Sequence, residues 1–360
     1  MTCPAAPPRQ HGGPGARGPV RWDFSTNANA AGPCPTALRA VQQADPCRYP
    51  DPGYHALRER LAAWHGVAPQ RILLAASASE FIQRITAVSV RLAPGAVAVP
   101  PLAYGDYAVA AHACGRETLP ADASAPNASG HAAPTLRWCA DPGSPLGQPQ
   151  PPPAEPGQLI TVLDGAYAPL RLHGPSTWPQ AALDAVFQLH SPNKALGLPG
   201  LRGAYVVAPA AAAQHASLID ALHAAEPSWP LGAHAVALLT AWTEPATQAW
   251  LAASLTVLRT WCDELRSGLH ALGLAPQPSV TPFLCARRPP AATDDWLQPR
   301  GLAVRCTASF GLPGQMRMSA QPPVATAALL SSLREALTLT DGNESAAHHQ
   351  ALPLQPAAST

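Results

Sequence analysis

Lysine is almost missing from this sequence: of the 23 basic side chains in 360 residues, one is a lysine, Lys194, and the other 22 are arginines. Charge of either sign is scarce, at 12% of residues, and the formal net charge is +1. No basic run interleaves with aromatics, which excludes the electrostatic footprint of a nucleic-acid binder and points to a small-molecule partner. The eight cysteines form no CxxC pair and no zinc spacing, so they read as reduced packing thiols, with no metal site expected. No run of 18 apolar residues occurs, and the opening stretch MTCPAAPPRQHGGPGARGPV lacks the apolar segment of a secretion signal. A cytoplasmic chain without a membrane span is expected.

Apolar residues make up 47% of the chain, enough for a sizeable core, and domains usually run to about 100–200 residues. The spacing of apolar residues suggests α/β architecture: a large domain with a mainly parallel sheet between helices, and a smaller α+β domain. Ile72–Ala76, Ala96–Val99, Leu159–Leu163, Val186–Leu189 and Ala204–Ala208 read as short strands. Phe81, Ile82, Ile85, Val88 and Leu92 keep helical spacing after the first of them. From Trp250 to Leu272 a single long amphipathic helix is expected, ending near Gly273, and a last helix carries Leu329, Leu330, Leu333 and Leu337. Stretches 120–134 and 148–157, the latter QPQPPPAEPG, read as surface connections because proline can continue neither a helix nor a central strand. The expected organisation is a disordered tail at 1–20, an arm at 21–45 joining the small domain, a large domain at 46–245, a small domain at 246–338 and a second disordered tail at 339–360.

The lysine imbalance bears on chemistry. Arginine supplies positive charge wherever charge alone is wanted, but its guanidinium stays protonated, whereas a desolvated primary amine can deprotonate and condense with a carbonyl. A lone lysine is ordinarily a surface residue. This one follows a strand in Ser191-Pro192-Asn193-Lys194-Ala195-Leu196-Gly197-Leu198-Pro199-Gly200-Leu201-Arg202, a glycine-rich turn with an arginine eight residues on. Upstream, Leu163-Asp164-Gly165-Ala166-Tyr167 closes another strand, where an aspartate is otherwise a turn or helix cap. Ala75-Ala76-Ser77-Ala78-Ser79-Glu80 is a strand-to-helix turn whose backbone N–H groups suit a phosphate. Pro101-Leu102-Ala103-Tyr104 sets an aromatic after a strand, and Gln315-Met316-Arg317-Met318-Ser319 sets an arginine within one, with Arg305 earlier.

Taken in order, these segments resemble fold-type I pyridoxal-phosphate enzymes of the class I/II aminotransferases. The opening Asn27-Ala28-Asn29-Ala30-Ala31-Gly32-Pro33 is similar to that of histidinol-phosphate aminotransferases and of the threonine-phosphate decarboxylases of cobalamin synthesis. The resemblance spans about 23–323. It implies that Lys194 binds pyridoxal 5′-phosphate covalently and serves as general base, that Asp164 faces the pyridine nitrogen, and that Tyr167 faces the phenolic oxygen. It further implies Ser191, Arg202, Ala78 and Ser79 at the phosphate, Tyr104 stacked on the ring, and Tyr49 reaching the phosphate of a neighbouring subunit in a homodimer. Arg317, Arg305 and Asn29 would bind substrate, an amino acid or amino-phosphate reacting with a 2-oxo acid. Three positions depart from the family pattern: Asn193 for Ser/Thr, Gly165 for Glu, and Ser144 in Asp141-Pro142-Gly143-Ser144-Pro145-Leu146-Gly147, where an asparagine normally donates to the phenolic oxygen. Transamination, decarboxylation of threonine phosphate, and cofactor binding without turnover all stand open at this level.

Overall fold

A computed structural model describes residues 12–13, 18–122 and 133–350, excluding the side chains of 212, 213 and 340–350. Its strands are β1 (Trp22–Asp23), β2 (Ile72–Ala75), β3 (Ala96–Val99), β4 (Thr118–Pro120), β5 (Pro134–Ala140), β6 (Ile160–Asp164), β7 (Phe187–His190), β8 (Ala204–Val207), β9 (Phe283–Arg287), β10 (Leu302–Ala303), β11 (Arg305–Cys306) and β12 (Gln315–Ser319). The helices are α1 (Pro35–Gln42), α2 (His55–His65), α3 (Ala78–Leu92), α4 (Gly105–Ala113), α5 (Gln180–Leu183), α6 (Ala216–Ala224), α7 (Ala233–Trp242), α8 (Pro245–Ala271), α9 (Asp294–Leu297) and α10 (Pro323–Gln350). Seven strands form one sheet in the order β2-β8-β7-β6-β5-β3-β4, and only β8 runs against its neighbours.

The mainly parallel sheet expected from the sequence is therefore present, and its β-strand periodicity explains the two apolar layers. In β2, Ile72 and Leu74 face one layer, which includes Leu258 and Leu265 of α8, while Leu73 faces the other with Phe81, Ile82 and Ile85 of α3. Two strands of this sheet escaped the sequence reading. β4 and β5 flank the proline- and serine-rich stretch, and Arg137 in mid-β5 breaks the apolar run that would have marked a buried strand. Residues 123–132 of that expected connection lie outside the described residues.

The arm joins the remaining strands: β1 pairs with β10, and β11, β12 and β9 make an antiparallel sheet. The apolar layer on the Ile72 face runs without a break from Phe24 through α8 to Leu333. Two parts of the tails differ from expectation. The last helix continues to Gln350, since DGNESAAHHQ has helix formers and no proline to stop it. At the other end Gly13 donates its N–H to Ser25 Oγ at 2.8 Å, while residues 1–11 and 14–17 lie outside the described residues. Burial pushes the thiols of Cys139, Cys262 and Cys285 up to about 11, as protonated packing groups.

The buried Arg84 and the half-buried Arg58 anchor α3 and α2 through a single carboxylate. Glu226, just past α6, lies 3.2 Å from Arg84 Nη1 and 3.7 Å from Arg58 Nη2, and Arg84 also pairs with Glu80 at 3.0 Å. The side chains of Arg84 and Glu226 are 3% and 13% exposed, so solvent screens this network poorly. We expect Glu226→Gln to cost about 3 kcal/mol, because it leaves the buried Arg84 and the half-buried Arg58 short of counter-charge. Urea unfolding checks this, and a midpoint within error of the parent would refute it.

Candidate active site

The site forms where strand ends and turns from distant parts of the chain meet. Ser77 caps α3 by accepting from Glu80 N at 3.1 Å, and Glu80 Oε2 reaches back to Ala76 N at 3.2 Å. This reciprocal cap sets the entry angle of the turn. It leaves Ala78 and Ser79 on the cavity wall at the helix N-terminus, where backbone donors have no intrahelical partners. Tyr104 precedes α4, with its hydroxyl 3.2 Å from Ser79 Oγ.

Asp164 ends β6 and Ser191 follows β7, the adjacent parallel strand, so both open at the same sheet edge. Asp164 accepts from Ala166 N at 2.9 Å and from the Tyr107 hydroxyl at 2.7 Å. The turn after β7 is held by Asn193, whose Oδ1 accepts from Lys194 N and Ser191 Oγ, each at 3.0 Å, and whose Nδ2 donates to Leu201 O at 3.0 Å. That triple clamp accounts for an asparagine where the family pattern has a hydroxyl. Lys194 Nζ lies 4.6 Å from the centre of the Tyr167 ring. Burial raises the Tyr167 phenol, but Lys194, Arg317 and the Asn27 hydrogen bond outweigh it and hold the phenol below its ordinary range.

These groups line one cavity of about 830 Å³, within the usual range for a small-ligand site. Ser79, Tyr104, Ser144, Asp164, Tyr167, Ser191, Lys194, Arg202, Arg305 and Arg317 all face it. Arg305 and Arg317 are cross-strand partners in β11 and β12, 3% and 6% exposed. Burial pulls both guanidinium pKa values down, and for Arg305 the neighbouring Arg317 charge adds to it. Arg317 donates to Ser144 Oγ at 3.2 Å and to Ser25 O at 3.3 Å, and its buried Nε has no protein partner. Among the described residues the wall carries four cationic side chains, Lys194, Arg202, Arg305 and Arg317, against two carboxylates, Asp106 and Asp164. Such a wall suits a ligand with anionic groups.

Two expected residues lie elsewhere. Asn29 is buried outside the cavity, where its Nδ2 donates to Ala195 O at 3.0 Å and Ser254 Oγ at 2.8 Å, and its backbone N donates to Lys194 O at 2.9 Å. It braces the lysine turn from outside the cavity wall. The turn demands this closeness: Gly197 sits at φ +67, and a Cβ there would come within 2.5 Å of Gly32 O. Tyr49 is 78% exposed, off the cavity wall, and stacks on Trp229 with ring centres 4.4 Å apart. In their place the structure brings Ser25, Thr26, Asn27, Asp106, Tyr107 and Phe310 to the wall. Asn27 falls in the same asparagine motif as Asn29, and the motif alone does not say which one faces inward. Behind the turn, burial depresses His190 to about 3 and His65 to about 4, so both imidazoles are neutral at pH 7.

A parallel sheet opening onto a single lysine, with a carboxylate at the adjacent strand end and a helix N-terminus beside it, defines an α/β enzyme of the pyridoxal-phosphate fold type I. The chain belongs to the aminotransferase class I and II family, whose model matches residues 155–337, and is with it a pyridoxal-phosphate-dependent aminotransferase. It is 30% identical over 348 residues to histidinol-phosphate aminotransferase 1 of Thiobacillus denitrificans, covering 89% of this chain and 86% of that protein. The histidinol-phosphate aminotransferase of Granulibacter bethesdensis is 29% identical, with 82% and 84% covered. In fold it is similar to the histidinol-phosphate aminotransferase of Sinorhizobium meliloti solved with pyridoxal-5′-phosphate, with a TM-score of 0.72, 22% identity, and 90% and 92% of the two chains covered. It is similar in fold also to the L-threonine-O-3-phosphate decarboxylase of Porphyromonas gingivalis, with a TM-score of 0.69, 21% identity, and 88% and 99% covered.

Proposed function

We propose that this enzyme moves the amino group of an amino-phosphate such as histidinol phosphate to a 2-oxo acid. The observation that carries the substrate class is the Arg305–Arg317 pair, two buried guanidinia side by side on the wall that also holds Lys194. An anion between them relieves their mutual repulsion and satisfies Arg317 Nε.

The wall residues fit pyridoxal phosphate. Ser79, the N–H groups of Ala78 and Ser79, Ser191 and Arg202 take its phosphate, and Tyr104 covers the ring face. When bound, the cofactor supplies an electron-poor ring that takes up the electron pair released at the substrate α-carbon. Asp164 holds a proton on the ring nitrogen, and Tyr167 donates its hydroxyl to the phenolic oxygen. Ser144 stands where the family asparagine would, too short to make the same bond. The Arg317 fork binds and orients the substrate, and Lys194 Nζ moves the proton from the α-carbon. Residues 46–245 form the cofactor-binding part and 246–338 the smaller part in this reading. The exposed Tyr49–Trp229 stack is the face across which a second subunit of a homodimer packs, and the cytoplasm is the compartment.

The test is amino transfer from histidinol phosphate to 2-oxoglutarate, followed beside a panel of amino acids and O-phosphothreonine. Transfer from the amino-phosphate supports the reading. Release of CO₂ from O-phosphothreonine without amino transfer replaces it.

A further inference from the structure

Tyr107 has no place in the roles assigned above, yet its surroundings are specific. It lies one helical turn beyond Tyr104, is 1% exposed, and lies flat against Trp138 of β5, with ring centres 4.5 Å apart and planes 5° from parallel. That stack fixes the ring and aims the hydroxyl at Asp164 Oδ2, 2.7 Å away. Burial first, and then the Asp164 carboxylate, push the phenol well above its ordinary range, so it is a donor at every working pH. With Ala166 N on Oδ1, the carboxylate is held at both oxygens, and its plane cannot turn about the side-chain axis.

The geometry points to Tyr107 as the positioning residue that keeps Asp164 in register with the pyridine nitrogen and tunes how firmly that nitrogen stays protonated. This rests on the reading that Asp164 faces the ring nitrogen. The tyrosine acts only through Asp164. Removing its hydroxyl frees the carboxylate to rotate and makes the oxygen it served more basic. Both changes loosen the proton on the ring nitrogen, and a less electron-poor ring leaves the lysine-linked nitrogen easier to protonate.

The experiment uses the full chain loaded with pyridoxal phosphate and reads cofactor affinity and the pH midpoint of its visible absorption. Tyr107→Phe keeps the stack on Trp138 and removes one oxygen. Loss of a hydrogen bond to a charged group implies cofactor binding weaker by about tenfold or more, and the midpoint should rise by roughly one pH unit. Tyr107→His, which keeps a flat ring with an N–H, should bring the midpoint part of the way back. In an Asp164→Asn background Tyr107→Phe should change neither quantity further. A parent protein that takes up no cofactor overturns the Asp164 reading itself. A parent that binds normally beside a Tyr107→Phe protein of unchanged affinity and midpoint overturns the role of Tyr107 alone, and so does an effect that persists when Asp164 is Asn.

Discussion

Lys194→Ala should yield a protein that takes up no covalently held pyridoxal phosphate and shows no visible absorbance that borohydride can abolish. The expectation is unusually clean because the chain offers no second lysine to substitute. Proton transfer by a positioned group contributes up to about 10⁴-fold, and loss of the covalent anchor adds to that, so kcat should fall by about 10⁴ or more. Lys194→Arg separates the two reasons a cation could matter here. It keeps the positive charge near the Tyr167 ring, where Nζ now sits 4.6 Å from the centre, but it cannot condense with an aldehyde. Both variants should be equally inactive. Activity in the arginine variant would show that Lys194 serves as a charge and not as a nucleophile.

The second large effect belongs to Arg317. Truncating one partner of a buried charge pair costs about 2–5 kcal/mol, so Arg317→Ala should lower kcat/KM for the amino-phosphate by about 30-fold to about 4,000-fold. Arg317→Lys should recover only part of this, because a point charge cannot grip a planar anion at two oxygens. Stability should move the other way. Arg317 is 6% exposed between Phe283 and Phe310, meets only neutral acceptors, and has an unsatisfied Nε. Such a charge is costly to bury, so Arg317→Met should unfold at the same or a higher temperature than the parent while its activity collapses. Thermal melts beside steady-state rates would check both halves, and a marked drop in melting temperature would show that the guanidinium holds the fold together.

How much of this was legible beforehand follows from the range of the physics. The strands Ile72–Ala75 and Ala204–Val207 are short apolar runs buried on both faces, and α8 carries its apolar stripe over 27 residues, so each announced itself through local spacing. β5 did not, because a buried arginine sits in its middle and a proline-rich stretch follows it. On the cavity wall, Lys194, Asp164 and Tyr167 stood out in the sequence as an amine, a carboxylate and a phenol, each at or shortly after a strand end. Which asparagine of the motif lines the cavity is set by packing: Asn27 is on the wall and Asn29 is off it. Asn29 turned out to brace Ala195 O and Ser254, while Asn27 reaches the Tyr167 hydroxyl at 3.4 Å.

Side-chain chemistry along the chain was thus enough to establish the cofactor and the α/β frame, since a lone lysine among arginines and alternating apolar runs are properties of neighbours in sequence. Packing alone settled what each group touches. Tyr107 meets Asp164 across 57 residues, Arg317 meets Ser144 across 173, and Arg305 faces Arg317 through strand register. Such meetings depend on how the helices and sheets are stacked, a distance that no spacing within a single turn or strand encodes. Lys194 stands out along the chain by its rarity, whereas the pairing of Arg305 with Arg317 exists only once the strands are in register.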